Sequence, residues 1–299
     1  MSDIDEAIHT YLLAIEIEGK SRRTIASYAN SLQDFRRVGR RLGHPASPRE
    51  YTVAHVYEFL GALRERGAPP GYQHRRHREV KTCFSWLKRM DFIQENIFAR
   101  VPLVRRPMVI RPPFSPEQIT SLLQTLDRSR LTGCRNYALL LCLLDTGVRA
   151  SELIGINLED VDWSERRVLI RHGKGAKERV VGIGERTSDA LRTYVDAFRS
   201  QALGRLFLTS KGEGMRGAGT LEVLLRRIGE RAGVPKVYPH RFRHTFATWA
   251  IESGAREIDV QLLLGHSDLT MTQHYARTYT SEQAVRAHGE LSPVRRLAG

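Results

Sequence analysis

Five short stretches of the chain carry side chains able to act together on a phosphodiester: "DTGVRASELIGI", "RHGKGAKERV", "PHRFRHTFAT", "LLLGHSD" and "TQHYART". In chain order they offer Arg149, Lys174, His240 with Arg243, His266 and Tyr275. A phenol that attacks phosphorus must first lose a proton held with a pKa of about 10. The phosphoryl group gains negative charge in the transition state, and a sugar alkoxide must leave. Two guanidinium forks can clamp the non-bridging oxygens, because they match phosphate geometry and stay charged. Histidine and lysine can accept and donate the protons. The chemistry therefore calls for two arginines, a histidine and a lysine brought to one tyrosine, and the chain carries that set in separated pieces.

Local sequence says how each piece is presented. Arg149 follows the apolar run "CRNYALLLCLLDTG", a helix of the core that ends at Gly147, so it is expected in a loop held by rigid packing. Lys174, between Gly173 and Gly175, is expected at the tip of a hairpin whose strands run Val168 to Arg171 and Arg179 to Ile183. His240 and Arg243 are three apart, on one face at a helix start whose N–H groups favour an anion. His266 follows a glycine at a helix end, and Tyr275 comes nine positions later. Tyr279 and His244 are rivals for Tyr275 and His240, and both are expected to serve packing instead.

In this order and spacing the motifs resemble those of the tyrosine recombinase, or phage integrase, family, and the chain is most similar to its short Xer-type members from the first helix to the C-terminus. The resemblance implies that Arg149 and Arg243 clamp the transition state and that Lys174 is the general acid for the 5′-hydroxyl leaving group. It implies that His240 is proton acceptor or phosphate ligand, His266 a further phosphate donor and Tyr275 the nucleophile. Glu152, three residues after Arg149, falls where the family carries an acidic residue that supports the site. Also implied are a helical N-terminal domain and a mixed catalytic domain closing on double-stranded DNA with inverted-repeat core sites. The family further implies a homo- or hetero-tetramer on synapsed duplexes, a 3′-phosphotyrosyl intermediate and a Holliday junction. The phosphotyrosyl bond conserves energy, so no cofactor and no metal is expected; a Walker-type loop and a carboxylate cluster suited to Mg²⁺ are both missing from the sequence. A topoisomerase of the IB type shares the same residue logic, and a DNA-binding regulator without catalysis is the alternative outside enzymes.

Charge supports a polyanionic partner. The 299 residues hold 47 Lys and Arg against 33 Asp and Glu, a net +14. Up to residue 111 the count is 20 against 12, and beyond it 27 against 21, so both halves are basic. A polyanion gripped by both domains explains this better than one basic tail would, and nucleic acid is the candidate, since phosphate neutralisation supplies most non-specific affinity. Hydrophobic residues make up 41%, with no apolar run near the roughly 18 to 20 residues of a membrane span, so no membrane partner is expected. The acidic, polar start "MSDIDEAIHT" lacks the pattern of a secretory signal, which points to the cytoplasm. Cys83, Cys134 and Cys142 show no CxxC pairing and are expected to be small buried side chains.

The elements that must position these groups read as mainly α with a small antiparallel sheet. Residues 1–100 are expected to form a helical bundle, a SAM-like core-binding domain by resemblance. Its first helix has Ile4, Ile8, Leu12 and Ile15 on one stripe, Ser2 as N-cap and Gly19 at the C-cap. The second runs from Ser21 to Gly43, and "TVAHVYEFLGALRERG" and "YQHRRHREVKTCFSWLKRM" supply two more. The last crowds Arg75, Arg76, His77, Arg78 and Lys81 into two turns, a basic face; Arg75, Arg76, Arg78, Lys81 and Arg241 are candidate phosphate contacts. Residues 101–113, rich in Pro and Arg, read as a linker able to extend to about 40 Å. Residues 114–299 are expected to form the mixed α+β catalytic domain, opened by the capping box "SPEQ" and followed at Thr280 or Ser281 by a C-terminal helix that packs in cis or on a neighbour. Trp86 and Trp249 are expected in the cores.

Overall fold

In the computed structural model, residues 3–105, 112–171, 178–199 and 204–265 are described. The chain forms two compact units, Met1–Ile110 and Arg111–Gly299. The first contains α1 (Ile4–Ile17), α2 (Arg22–Leu42), α3 (Val53–Glu65) and α4 (Pro70–Arg89). Phe35 of α2 sits at its centre, edge-on to Phe59 of α3 at 5.3 Å and to Phe84 of α4 at 5.8 Å between ring centroids. Ser21 and Gly43 cap α2 as expected, with Gly43 left-handed at φ 71°. The cap of α1 is Asp3, whose side chain accepts from the Asp5 N–H at 2.8 Å; Ser2, expected there, lies outside the described residues.

Helix α4 corrects the expected basic face. Successive residues on a helix turn by about 100°, so a run of neighbouring cations cannot all face one way. Arg75 and Arg78 are exposed, whereas Arg76 and His77 are buried. Arg76 pairs with Asp34 at 2.8 Å, donates to Ser31 and Tyr72, and lies over the Tyr72 ring at 4.4 Å. Asp34 also takes Arg66, Arg37 and the Tyr72 hydroxyl. Arg76 is thus a structural cation of the first unit, not a phosphate contact.

The second unit comprises α5 (Pro116–Gln124), α6 (Leu131–Thr146), α7 (Ala150–Gly155), β1 (Val161–Asp162), β2 (Arg167–Ile170), β3 (Arg179–Gly182), α8 (Glu185–Phe198), α9 (Ala218–Ala232), α10 (Pro239–Glu252) and α11 (Glu257–Leu264). The sheet is antiparallel in the order β1-β2-β3, with Val168 opposite Val181 and Ile170 opposite Arg179. The two strands read from sequence pair antiparallel, the turn between them at 172–177 lies outside the described residues, and the short β1 adds a third strand. The capping box at Ser115 and Gln118 closes as expected, each side chain taking the other's backbone N–H. Helices α7 and α8 are not among the segments read from sequence: α7 is six residues long, and the N-cap of α8 is Gly184, which has no side chain to cap it. The three cysteines are free and buried.

The apolar α6 runs through the core, with Ala138, Leu139, Cys142 and Leu143 at 0% exposure. It ends at Gly147, left-handed at φ 59°, where a Cβ would stand 2.6 Å from both Leu264 Cδ2 and Phe246 Cδ1. The glycine is what lets α6 end against α10 and α11. The stretch expected as linker is anchored to the described chain at both ends. Val101 is buried in the first unit and the Val104 carbonyl accepts from His74 Nδ1 at 2.7 Å. In the second unit the Pro112 and Pro113 carbonyls accept from Arg241; residues 106–111 between them lie outside the described set.

Gly147→Ala should destabilise the second unit by more than the ~1–2 kcal/mol that a left-handed residue with a Cβ costs by itself. Gly233→Ala, at φ 66° with nothing within 4 Å of its Cβ position, should cost only that amount. Urea denaturation of both variants compares them, and equal losses would refute the close approach at Gly147.

Candidate active site

Helix α11 ends with carbonyls that have no intrahelical donor, as every α-helix does. Three arginines from three other elements serve them. Arg179, at the start of β3, donates Nε to the Leu263 carbonyl at 2.8 Å. Arg243, in α10, donates Nη2 to the Leu264 carbonyl at 2.8 Å and Nη1 to the Gly147 carbonyl at 2.9 Å. Arg149, the N-cap of α7, donates Nη2 to the Gly265 carbonyl at 3.1 Å. The negative end of the helix dipole favours cations at this position. Arg149 and Arg243, far apart in sequence, are therefore neighbours.

Glu152 joins two of the three. Its side chain is 1% exposed. It accepts from the Arg149 N–H at 2.8 Å and from Arg149 Nη1 at 2.7 Å, and it takes Arg179 bidentately at 3.1 and 2.7 Å. Burial by itself would raise the carboxyl pKa. The hydrogen bonds from Arg179 and from the backbone and side chain of Arg149 outweigh it and hold the group at about 2. The reach from Glu152 back to the backbone of Arg149 also starts α7, which is why Arg149 caps a short helix where a loop was expected.

His240 is exposed in the first turn of α10, one helical turn before buried Arg243. His244 contacts Thr248 Oγ1 at 3.3 Å within α10. Lys174, His266 and Tyr275 lie outside the described residues. Of the candidate phosphate contacts, Arg75 and Arg78 are exposed and Lys81 is half-buried.

Arg241 is a correction. It is buried, its guanidinium lies 4.0 Å over the Phe114 ring, and it donates to the carbonyls of Pro112, Pro113 and Pro235 and to Gln118 Oε1. Those bonds commit it to bracing the entry of the second unit. Arg179 is the residue that sequence reading missed. Its partners are 27 residues away at Glu152 and 84 away at Leu263, so no local period announces them. Its only signal is a cation at the start of an apolar strand. Among the described residues no group of three or more His, Cys, Asp and Glu is disposed to hold a metal ion, and no helix is long and apolar enough to cross a membrane.

Comparison with known proteins finds similar chains. The profile of the phage integrase family matches residues 113–282. The tyrosine recombinase XerC of Oceanobacillus iheyensis is 31% identical over 302 residues, covering 96% of this chain and 97% of the relative. XerA of Thermococcus kodakarensis is 30% identical with both chains wholly covered. Among solved structures, the XerA recombinase is 26% identical at a TM-score of 0.53, covering 97% of this chain and 99% of that one. The Tn1549 transposon integrase in complex with a circular intermediate DNA shares the fold at a TM-score of 0.80 with 19% identity, covering 98% and 100%. A lambda integrase dimer bound to a COC′ core site does so at 0.75 with 16% identity, covering 91% and 95%.

The pH dependence of folding tests the Glu152 arrangement. A carboxyl held at about 2 in the folded chain, below its ordinary 4.5, stabilises fully above the ordinary value. That contribution is lost as pH falls from about 4.5 toward 2. By linkage it is on the order of 3 kcal/mol at neutral pH. Urea denaturation of the parent and of Glu152→Gln should therefore show a stability gap above pH 5 that narrows below pH 4.5. A gap that stays constant down to pH 2.5 would contradict the arrangement.

Proposed function

The chain belongs to the phage integrase family and is a Xer-like tyrosine recombinase, a site-specific enzyme of DNA cleavage and rejoining, and on that premise we propose how its residues carry the reaction. The Tyr275 oxygen attacks the scissile phosphorus and forms a 3′-phosphotyrosyl ester. The bond from phosphorus to the 5′ oxygen breaks, and Lys174 gives the departing oxygen its proton. Arg149 and Arg243 hold the non-bridging oxygens as charge builds on them. His240 takes the phenolic proton or binds the phosphate, and His266 adds a further hydrogen bond. Attack by a 5′-hydroxyl from another strand reverses the chemistry, releases the tyrosine and rejoins DNA. The ester keeps the bond energy, so joining needs no nucleotide triphosphate.

One observation above all supports this reading. Two guanidinium groups from separate elements meet on the adjoining carbonyls of Leu264 and Gly265, immediately before His266 in sequence. Fixed positive charge of this kind is what a phosphoryl transition state requires, and it costs no reorganisation when the reaction occurs. Glu152 sets the Arg149 side chain. The first helical unit, residues 1–100, acts as the core-binding domain, with Arg75, Arg78 and Lys81 on phosphates; residues 101–113 link it to the catalytic domain, 114–299. Four protomers act on two synapsed duplexes with inverted-repeat core sites, through a Holliday junction. The work takes place in the cytoplasm.

Two experiments test the roles, using nicked suicide duplexes built on the site that the chain selects from a random DNA pool. Tyr275→Phe should lose covalent capture entirely while its gel-shift affinity is kept; capture by that variant would remove Tyr275 as nucleophile. Lys174→Ala should cleave about 10²–10⁴-fold more slowly, the usual worth of a general acid. A 5′-bridging phosphorothiolate, whose leaving group needs no proton, should restore its rate. No restoration would remove the acid assignment.

A further inference from the structure

Arg179 has no place in the reaction as proposed, yet it is firmly committed within the cluster. Its side chain is 12% exposed, and it spends all three guanidinium nitrogens on two partners, the Leu263 carbonyl and the Glu152 carboxylate. Gly265, left-handed at φ 65°, leaves room for it: a Cβ there would stand 3.1 Å from Arg179 Nη1 and 3.2 Å from Cδ and Cζ.

The charge count gives the arrangement a purpose. Glu152 and Arg149 form a close pair, and a pair of that kind is neutral overall. An arginine neutralised by its own carboxylate offers little net field to a phosphate. Arg179 supplies a second cation to the same carboxylate, and it takes both oxygens. The trio of Arg149, Glu152 and Arg179 then carries one net positive charge. Arg149 is its more exposed cation, at 29% against 12% for Arg179. Glu152 can thus orient Arg149, through its backbone N–H and Nη1, without cancelling it.

We infer that Arg179 is a positioning residue for strand cleavage: it compensates the charge of Glu152, so that the carboxylate fixes the Arg149 side chain while Arg149 stays electropositive toward the scissile phosphate. This inference rests on the proposed role of Arg149 as a phosphate clamp. It assigns Arg179 no contact with DNA.

Single-turnover cleavage of the nicked suicide duplex by the full chain, set beside gel-shift affinity for the same duplex, tests it. Arg179→Met should slow cleavage about 10- to 100-fold, the scale of an outer partner's effect on a charged site, with the Kd changed by less than about threefold. Arg179→Lys keeps the charge beside Glu152 and should recover most of the lost rate; a lysine variant as slow as the methionine variant would overturn charge compensation. In the Glu152→Gln background, where no buried carboxylate remains to be neutralised, adding Arg179→Met should cost nothing further in rate. This comparison holds even if Arg179→Met alone folds poorly. An additional 10-fold loss there would also overturn the inference. Arg149→Ala separates the two levels. If it cleaves like the parent, the clamp reading itself has failed and this inference with it. If it is inactive while Arg179→Met cleaves at the parental rate, only the role of Arg179 has failed.

Discussion

The carbonyl end of one short helix organises the second unit. Helix α11 is eight residues long, and its last carbonyls require donors that its own backbone cannot supply. Meeting that need with arginines fixes three guanidinium groups at once, because each is tied to a carbonyl of known position. Neutral donors would satisfy the helix equally well as hydrogen bonds. Arginines also answer the negative end of the dipole, and they leave positive charge concentrated where an anion can be met. Bringing cations together out of water is costly unless a counter-charge is present. Glu152 is that counter-charge for Arg149 and Arg179, and its low pKa records how strongly the pair holds the ionised form.

This construction needs a rigid support, which α6 provides. Its apolar surface is buried around most of its circumference, and its end meets α10 and α11 closely enough that only a glycine fits. Through the Gly147 carbonyl the same helix end also binds Arg243. Arg241, two residues earlier on α10, points the other way and ties that helix to the backbone at residues 112 and 113. One short stretch of α10 thus holds both the brace of the unit and a member of its candidate site. The physical difference between the two arginines is the identity and placement of their acceptors.

Net charge does not measure how much positive surface a protein offers. In the first unit Arg76 and Arg66 are bound to Asp34, and Arg36 to Asp5 at 2.6 Å. Asp5 is held at about 2, first by its hydrogen bond from Arg36. Cations used in this way specify packing, and the surface left for phosphate is smaller than the count of arginines implies.

From sequence alone, the order and spacing of Arg149, Lys174, His240, Arg243, His266 and Tyr275 were enough to indicate the family, because a reaction selects residue types directly. Helix caps at Ser21, Gly43, Ser115 and Gly147 and the hairpin strands were legible as well, since they depend on residues within a few positions of one another. The tertiary structure decided which acceptor each arginine meets. Arg76, Arg179 and Arg241 have the same side chain as Arg149, and no local pattern separates them. What separates them is the acceptor each one meets, and those acceptors lie up to 129 residues away. A hydrogen bond is short in space whatever its distance along the chain, so only the folded backbone determines where a guanidinium is used.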